Sequence, residues 1–489
     1  MRQTAVPIAV LVLLTACPPS TYFNPPPKTR FYYPTGVVHA DLPGSDAGVL
    51  FVANANFNKL YNSGSIGVVK LDEVGLPDFG APLSGGPLAL TDLGPGAQTM
   101  QVTSFTGEMA ALELAPGKLR LFVPSRSEGM KYQALDATLT DGGVVLSCFP
   151  AAPAGSPTDC GANAPSLSPA AFEQSPGGVP RAVAPYGVAI QRRVCDGDAV
   201  CGPGRTCGSG YCLTDAGEAF ADTWVTHLVQ ADSPIASGLN FRSYLVRVES
   251  DQMLVAQANY VNLGVGSATS AAAGKRWVYV TGRLVSSAYP YPYLMRLVSH
   301  AALGPDAGDL RDLNANTSLE SFFRAQDARG TAVGSREDRL YMLSRAPDSL
   351  VVASLTNTDG TSFPTVQVVK SVALPNGPNE VVVIPRPGRG DLVAVTSSGA
   401  SVLALYDEDL GELAAQVTSI GQQPFGIAFD RRGAGVRIFV TNFADGRVAV
   451  VDVPDLDRPQ EARLVAHLGQ LQTCLTNPTL SSCLTAVTP

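Results

Sequence analysis

Gln422-Gln423-Pro424-Phe425-Gly426-Ile427-Ala428-Phe429, then Val436-Arg437-Ile438-Phe439-Val440-Thr441-Asn442, then Gly446-Arg447-Val448-Ala449-Val450-Val451-Asp452-Val453, is the stretch that decides the fold. Asp430-Arg431-Arg432-Gly433 separates the first two runs, and Asn442-Phe443-Ala444-Asp445-Gly446 the last two. Each run is rich in Val, Ile and Phe, too short for a helix, and bounded by Gly, Asn or Asp, so each reads as a strand. Ile438 to Val440 and Val448 to Val451 are continuously apolar, not alternating, which predicts strands covered on both faces.

The triplet recurs near the other end of the chain. Tyr33-Pro34-Thr35-Gly36-Val37-Val38 repeats the Pro-Phe-Gly-Ile start, Leu50-Phe51-Val52-Ala53-Asn54 repeats 438–442, and Gly64-Ser65-Ile66-Gly67-Val68-Val69-Lys70-Leu71-Asp72 repeats 446–453. Five weaker copies lie between them. The second has runs at 109–114, 119–123 and 130–136, and the third at 185–190, 223–229 and 244–248. The fourth starts at Ser270 and continues through 277–281 and 293–298. The fifth and sixth cover 330–334, 339–343 and 349–355, then 378–384, 391–396 and 401–406.

In these residues the chain resembles the YVTN family of β-propeller repeats, through Phe439-Val440-Thr441-Asn442 and, more loosely, Tyr279-Val280-Thr281. The resemblance implies an all-β, seven-bladed β-propeller of four-stranded antiparallel blades, here with a small disulfide-rich insert. Seven second-strand centres, Phe51, Phe122, Val225, Tyr279, Tyr341, Val393 and Phe439, fit that count. A small sheet with two apolar faces needs a neighbour on each side, and a closed ring supplies both. The rival architecture is a pair of smaller β-domains divided near residue 215.

Composition agrees with an all-β body. The 489 residues are 45% hydrophobic and 16% charged, with 48 Gly and 38 Pro to punctuate short elements. Formal net charge is −8, and loss of Arg2 with the leader makes it −9, so there is no electrostatic footprint for nucleic acid or anionic lipid.

Residues 1–16 read as an export signal: Arg2, then an apolar run from Ala5 to Leu14 too short to span a bilayer. Leu14-Thr15-Ala16-Cys17 resembles the bacterial lipobox, which implies cleavage before Cys17 and lipidation of its thiol. Pro18 at the following position favours the outer membrane over retention at the inner one. Residues 17–30, with Pro at 18, 19, 25, 26 and 27, read as an extended tether between the lipid and a propeller at 31–469.

Residues 137–178, rich in Pro, Ala, Gly and Ser and containing Cys148 and Cys160, read as an irregular insert loop. Residues 195–212 hold Cys195, Cys201, Cys207 and Cys212 between the first two strands of the third unit. Four thiolates could close a zinc site, but two of the three gaps, at five residues, exceed the usual zinc pairing, and an exported chain meets an oxidising compartment. Disulfides are expected. Three connectivities exist, and the interlaced one, Cys195–Cys207 with Cys201–Cys212, is favoured. Cys474 and Cys483 would close the tail at 470–489.

No catalytic residue, metal site or cofactor is assigned. The four His (39, 227, 300 and 467) read as structural, and there is no zinc-protease helix, nucleophile elbow or phosphate loop. Arg389-Gly390-Asp391 reads as a chance match to an adhesion tripeptide in a Gly-rich turn. Arg126, Arg283 and Arg345 each follow a second strand at nearly the same repeat position, so they form a candidate ligand face on one side of the disc, an anion-binding mouth. The expected function is a lipid-anchored binding or scaffold module for an envelope protein, peptide or glycan. The alternative is a propeller enzyme of lactonase or quinone-dependent dehydrogenase type; it would need carboxylates, Arg or His at the channel, and the inner strands look dominated by Val, Ile and Gly.

Overall fold

The computed structural model describes residues 24–472 apart from 128–129, 153, 157, 168–182, 230–241, 256–259, 266, 284–293, 300–309, 313–326 and 360–363. Cys17, the export signal, His300, Cys474 and Cys483 lie outside the described residues. The strands build a β-propeller whose antiparallel sheets follow one another along the chain. In the stretch quoted first, strands Pro424–Arg432, Gly435–Asn442 and Arg447–Val453 pair in order, and Arg463–Leu468 completes the set.

The continuous apolar runs have a geometric cause. Successive residues of each second strand point to opposite faces, and each face packs on a different neighbouring sheet. Phe51 and Val68 pack with Leu121 and Leu135 of the second sheet, while Leu50 and Val52 pack with Phe439 and Val450 of the last. Further pairs of neighbouring sheets pack in the same way. Trp224 and Leu245 meet Val278 and Val280, Tyr341 and Val352 meet Val393 and Ala404, and Leu403 and Leu405 meet Ile438 and Val451. First and last sheets therefore touch, and the ring closes. This excludes two separate β-domains divided near residue 215.

The expected four-stranded antiparallel blades are present, but not every sheet keeps to four strands. Among the described residues, six sheets of the ring have four strands, and the sheet of 424–468 has five. Its extra strand, Leu88–Leu90, comes from the link between the third and fourth strands of the first sheet and runs parallel to Arg463–Leu468, with Leu88 opposite Ala466. Around it, the Gly80 amide donates to Asp452 Oδ2 at 3.0 Å and Arg437 donates to the Pro77 carbonyl at 2.9 Å. A piece of the first sheet thus clasps the last one.

Two inserts depart from the ring. The expected loop at 137–178 is corrected at its start, because Gly143–Phe149 is the fourth strand of the second sheet, paired with Tyr132–Thr140. The described residues after that strand are irregular, and Cys148–Cys160 ties them back to it. The Cys-rich insert folds as a turn of helix, Asp198–Cys201, and a hairpin, Arg205–Gly208 with Tyr211–Thr214. Its bonds are Cys195–Cys207 and Cys201–Cys212, the interlaced pattern, so its thiols are not free to hold zinc. Arg205 docks this module by bonding Glu249 and Asp251 and lying 3.9 Å from the Phe220 ring centroid.

Candidate functional site

First strands of the ring open with a bulge at a fixed place. Register slips between Pro34 and Val37, Pro185 and Val188, Ala328 and Thr331, Pro378 and Val381, and Pro424 and Ile427. Two residues are thus freed from pairing in each of these blades, and a bulge re-aims side chains. The first of the two is Thr35, Tyr186, Arg329, Asn379 or Phe425, and all five line one cavity at the mouth of the central channel. The second is Gly36, Gly187, Gly330, Glu380 or Gly426. In the second blade, bridges Thr106–Ser125 and Ala110–Phe122 put Gly107 and Glu108 in the same slots.

Glycine suits the second slot because neighbouring first strands come close there. A Cβ on Gly426 would lie 2.3 Å from the Thr35 carbonyl oxygen, and one on Gly36 would lie 2.5 Å from Met109. Glu108 and Glu380 break the pattern, and room is left for Glu108, whose Oε2 lies 3.0 Å from where a Cβ of Gly187 would be.

The cavity measures about 430 Å³. Arg126 and Arg345, expected on one ligand face, both line it; Arg283 ends strand Trp277–Arg283, and its side chain lies outside the described residues. A further cation, Arg329, joins them. Arg345 donates to the Pro378 carbonyl and Asn379 Oδ1 at 2.8 Å each and to Ser398 Oγ at 3.2 Å, bonds that orient the guanidinium at the cavity wall. Arg329 shares its charge with Asp327 at 2.9 Å. The Arg126 guanidinium lies 5.4 Å from the Tyr186 ring centroid, and the Nε atoms of Arg126 and Arg329 are buried without a hydrogen-bond partner. Such donors are costly to bury unpaired and are met most simply by an acceptor in the cavity.

Glu108 and Glu380 stand close to this group, and each influences the Tyr186 phenol. Burial lifts the Glu108 carboxyl to about 8, partly opposed by a hydrogen bond from the Val188 amide. Burial, then the charge of Glu108, holds Glu380 well above the usual carboxylate range, against a hydrogen bond from the Ile427 amide. The Tyr186 phenol is pushed up by burial and by Glu108, and Arg126 and Arg329 partly offset this. Low dielectric and mutual repulsion keep at least one of the two acids protonated at neutral pH. Among the described residues, Arg126, Arg329 and Arg345 therefore outnumber Asp327 and whichever acid of the pair ionises.

A pH dependence results. Glu108 titrates near 4.5 in an unfolded chain and near 8 here, so the folded protein binds more protons between those values. Stability from this group is complete below about pH 4.5 and is lost as pH rises through 8. Glu108→Gln is expected to flatten that loss, by on the order of 2 kcal/mol between pH 5 and 8, less than the full shift implies because the side chain keeps some solvent contact. Urea midpoints at the two pH values check this; an identical pH slope in both proteins would refute it.

Of the histidines, His227 is buried with Nε2 3.1 Å from the Leu167 carbonyl, and burial lowers it to about 4. His39 lies 3.8 Å from Asp430, with Asp41 nearby, but Arg432 already pairs with Asp430.

The expectation of few ionisable groups at the inner strands is corrected by Glu108, Arg329 and Glu380. The signal was present in the sequence: Pro378-Asn379-Glu380-Val381 and Ala328-Arg329-Gly330-Thr331 copy the Pro-Phe-Gly-Ile start with a charge substituted.

No known protein family matches this sequence, and no curated protein matches it. Solved structures with a similar fold include the beta-propeller domain of Cps50 (Swd1) from Myceliophteria thermophila, 9% identical, with 86% of this chain and 97% of that chain covered and a TM-score of 0.45. Hydrazine synthase of Kuenenia stuttgartiensis is 11% identical over 84% of this chain and 96% of that one, also at TM-score 0.45. Dihydro-heme d1 dehydrogenase NirN in complex with DHE is 10% identical over 89% and 68%, at TM-score 0.42. None of these likenesses carries a functional argument.

Proposed function

We propose that this protein is a lipid-anchored cell-envelope propeller that acts as a binding or scaffold module and holds an anionic group of a protein, peptide or glycan partner at its central mouth. The observation that carries the reading is the convergence of Arg126 from the second blade with Arg329 and Arg345, from paired strands of another blade, on one cavity. Three guanidiniums in a partly dry site favour a carboxylate or similar anion, which they can bond in a planar, bidentate way. We read the five-stranded sheet as a blade like the other six, so that the ring would have the seven blades the YVTN resemblance implies. Export, lipidation at Cys17 and an outer-membrane address rest on Leu14-Thr15-Ala16-Cys17-Pro18. Palmitate incorporation abolished by Cys17→Ala is the matching test, and unlabelled native protein would refute the anchor.

Calorimetry with 3-phenylpropionate, and with its amide as a neutral control, tests the mouth. The acid is expected to bind and the amide not, with affinity falling at least tenfold in Arg126→Gln/Arg329→Gln and in raised salt. Equal binding of acid and amide, or no effect of the double substitution, would overturn the reading. Rising pH is expected to weaken binding as Glu108 ionises.

One observation supports the enzyme alternative. A carboxyl held protonated near neutral pH, beside a second one, is what general acid–base chemistry requires. Lactone hydrolysis or quinone reduction lost in both Glu108→Gln and Glu380→Gln would support that alternative over a pure binding role.

A further inference from the structure

Among the described residues, an aromatic lane leads into the mouth from one side. Phe57, half exposed, packs at 5.5 Å between ring centroids on Phe443; Phe443 packs at 6.4 Å on Phe425, and Phe425 at 6.2 Å on Tyr186, next to Arg126. Tyr33 and Phe105 flank its outer end, within 5.9 and 5.6 Å of Phe57. The rim across the cavity is polar, with Asn379, Ser398 and Gly399 around Arg345.

The backbone marks the same place. Tyr33, Phe105 and Gln423 each stand just before a first-strand bulge with φ of 51°, 60° and 53°, and Gly377 occupies that position in another blade at 71°. This left-handed conformation costs little for Gly and more for an aromatic residue. Bulky rings held where Gly fits best, on an apolar surface open to solvent, point to selection for what the rings touch.

We infer that the lane and mouth together receive the C-terminus of a partner protein, a short extended segment of apolar residues whose free carboxylate ends among Arg126, Arg329 and Arg345. Three features favour this occupant. The Arg-lined cavity complements an anion at the end of the apolar lane. The rings are mainly Phe, packed edge-on and tilted, and offer few partners for the hydroxyls of a sugar but good cover for Leu, Val or Phe side chains. The lane reaches the mouth from one side, so a chain that arrives along it ends there; an acidic residue in mid-chain would have to leave across the polar rim. At about 3.3 Å per residue, the lane suits roughly four to six extended residues. The inference rests on the anion-binding reading of the mouth.

The test uses a library of pentapeptides made from Leu, Val, Phe and Tyr with free C-termini, the same library as C-terminal amides, and tetragalacturonate as an acidic glycan. Binding to the folded full chain is read by competition against a fluorescent member of the free-acid library. The free acids are expected to bind at least tenfold more tightly than the amides. Phe57→Ala and Phe443→Ala are expected to weaken the acids at least fivefold, with circular dichroism showing an unchanged fold. In Arg126→Gln/Arg329→Gln, acid and amide should become equivalent. Equal affinity of acids and amides in the native protein, or no effect of Phe57→Ala, overturns the inference. Tetragalacturonate bound in an Arg-dependent way, with no peptide binding, overturns the peptide and leaves the anion mouth standing. If neither the peptides nor the glycan nor 3-phenylpropionate binds, both readings fall.

Discussion

Arg437→Met is expected to destabilise the protein by on the order of 3–5 kcal/mol, because it strands a buried charge. Arg437 and Asp452 are only 4% and 0% exposed. The guanidinium bonds both carboxylate oxygens, at 2.7 and 3.0 Å, and reaches the Pro77 carbonyl. Without it, Asp452 keeps the Gly80 amide as a donor but loses its counter-charge in a site closed to water. The double substitution Arg437→Met/Asp452→Leu is expected to recover much of the loss, since an apolar pair of similar volume removes the desolvation penalty with the charge. Urea denaturation of the single and double variants decides the matter. A double variant no more stable than the single one would show that the clasp by residues 77–90, and not the stranded charge, carries the energy.

Gly426→Ala should cost about 3 kcal/mol, at the upper end of what one added methyl does in a packed site. Its backbone φ is not the issue; space is. The new Cβ would fall 2.3 Å from the Thr35 carbonyl oxygen, which also accepts from Thr441 Oγ at 2.6 Å while that hydroxyl accepts from the Gly426 amide at 2.7 Å. Those bonds join the last blade to the first, so the clash falls on the seam that closes the ring. Gly85→Ala, with nothing within 4 Å of the added carbon, is the control and should change stability little. Urea midpoints for the two variants are the measurement; equal midpoints would mean that the seam gives way without cost.

Much of the ring was legible in the chain because its cause is local. A strand covered on both faces must be apolar throughout, so 438–440 and 448–451 announced a stacked sheet before any contact was known. The repeated Pro-x-Gly start marked where blades begin, and the position after each second strand brought Arg126 and Arg345 to one cavity. The Cys spacing marked the insert, and oxidation of its thiols was expected from the leader.

The parts that escaped depend on the closed ring. Leu88–Leu90 has no periodicity and no strand-forming length; it is a strand because the exposed edge of Arg463–Leu468 offers it hydrogen bonds. Arg329, Glu108 and Glu380 are far apart in the chain, and the charges that Arg329 and Glu380 put into the repeated strand start do not say which way their side chains face. Only the bulge at the head of each first strand turns their side chains inward, and only ring closure sets them beside Tyr186 and raises both carboxyls. By itself the sequence determined the blades, because burial on two faces is written into every strand. The charged mouth and its aromatic lane were decided by tertiary structure, because charge and exposure there depend on which blades face one another across the channel.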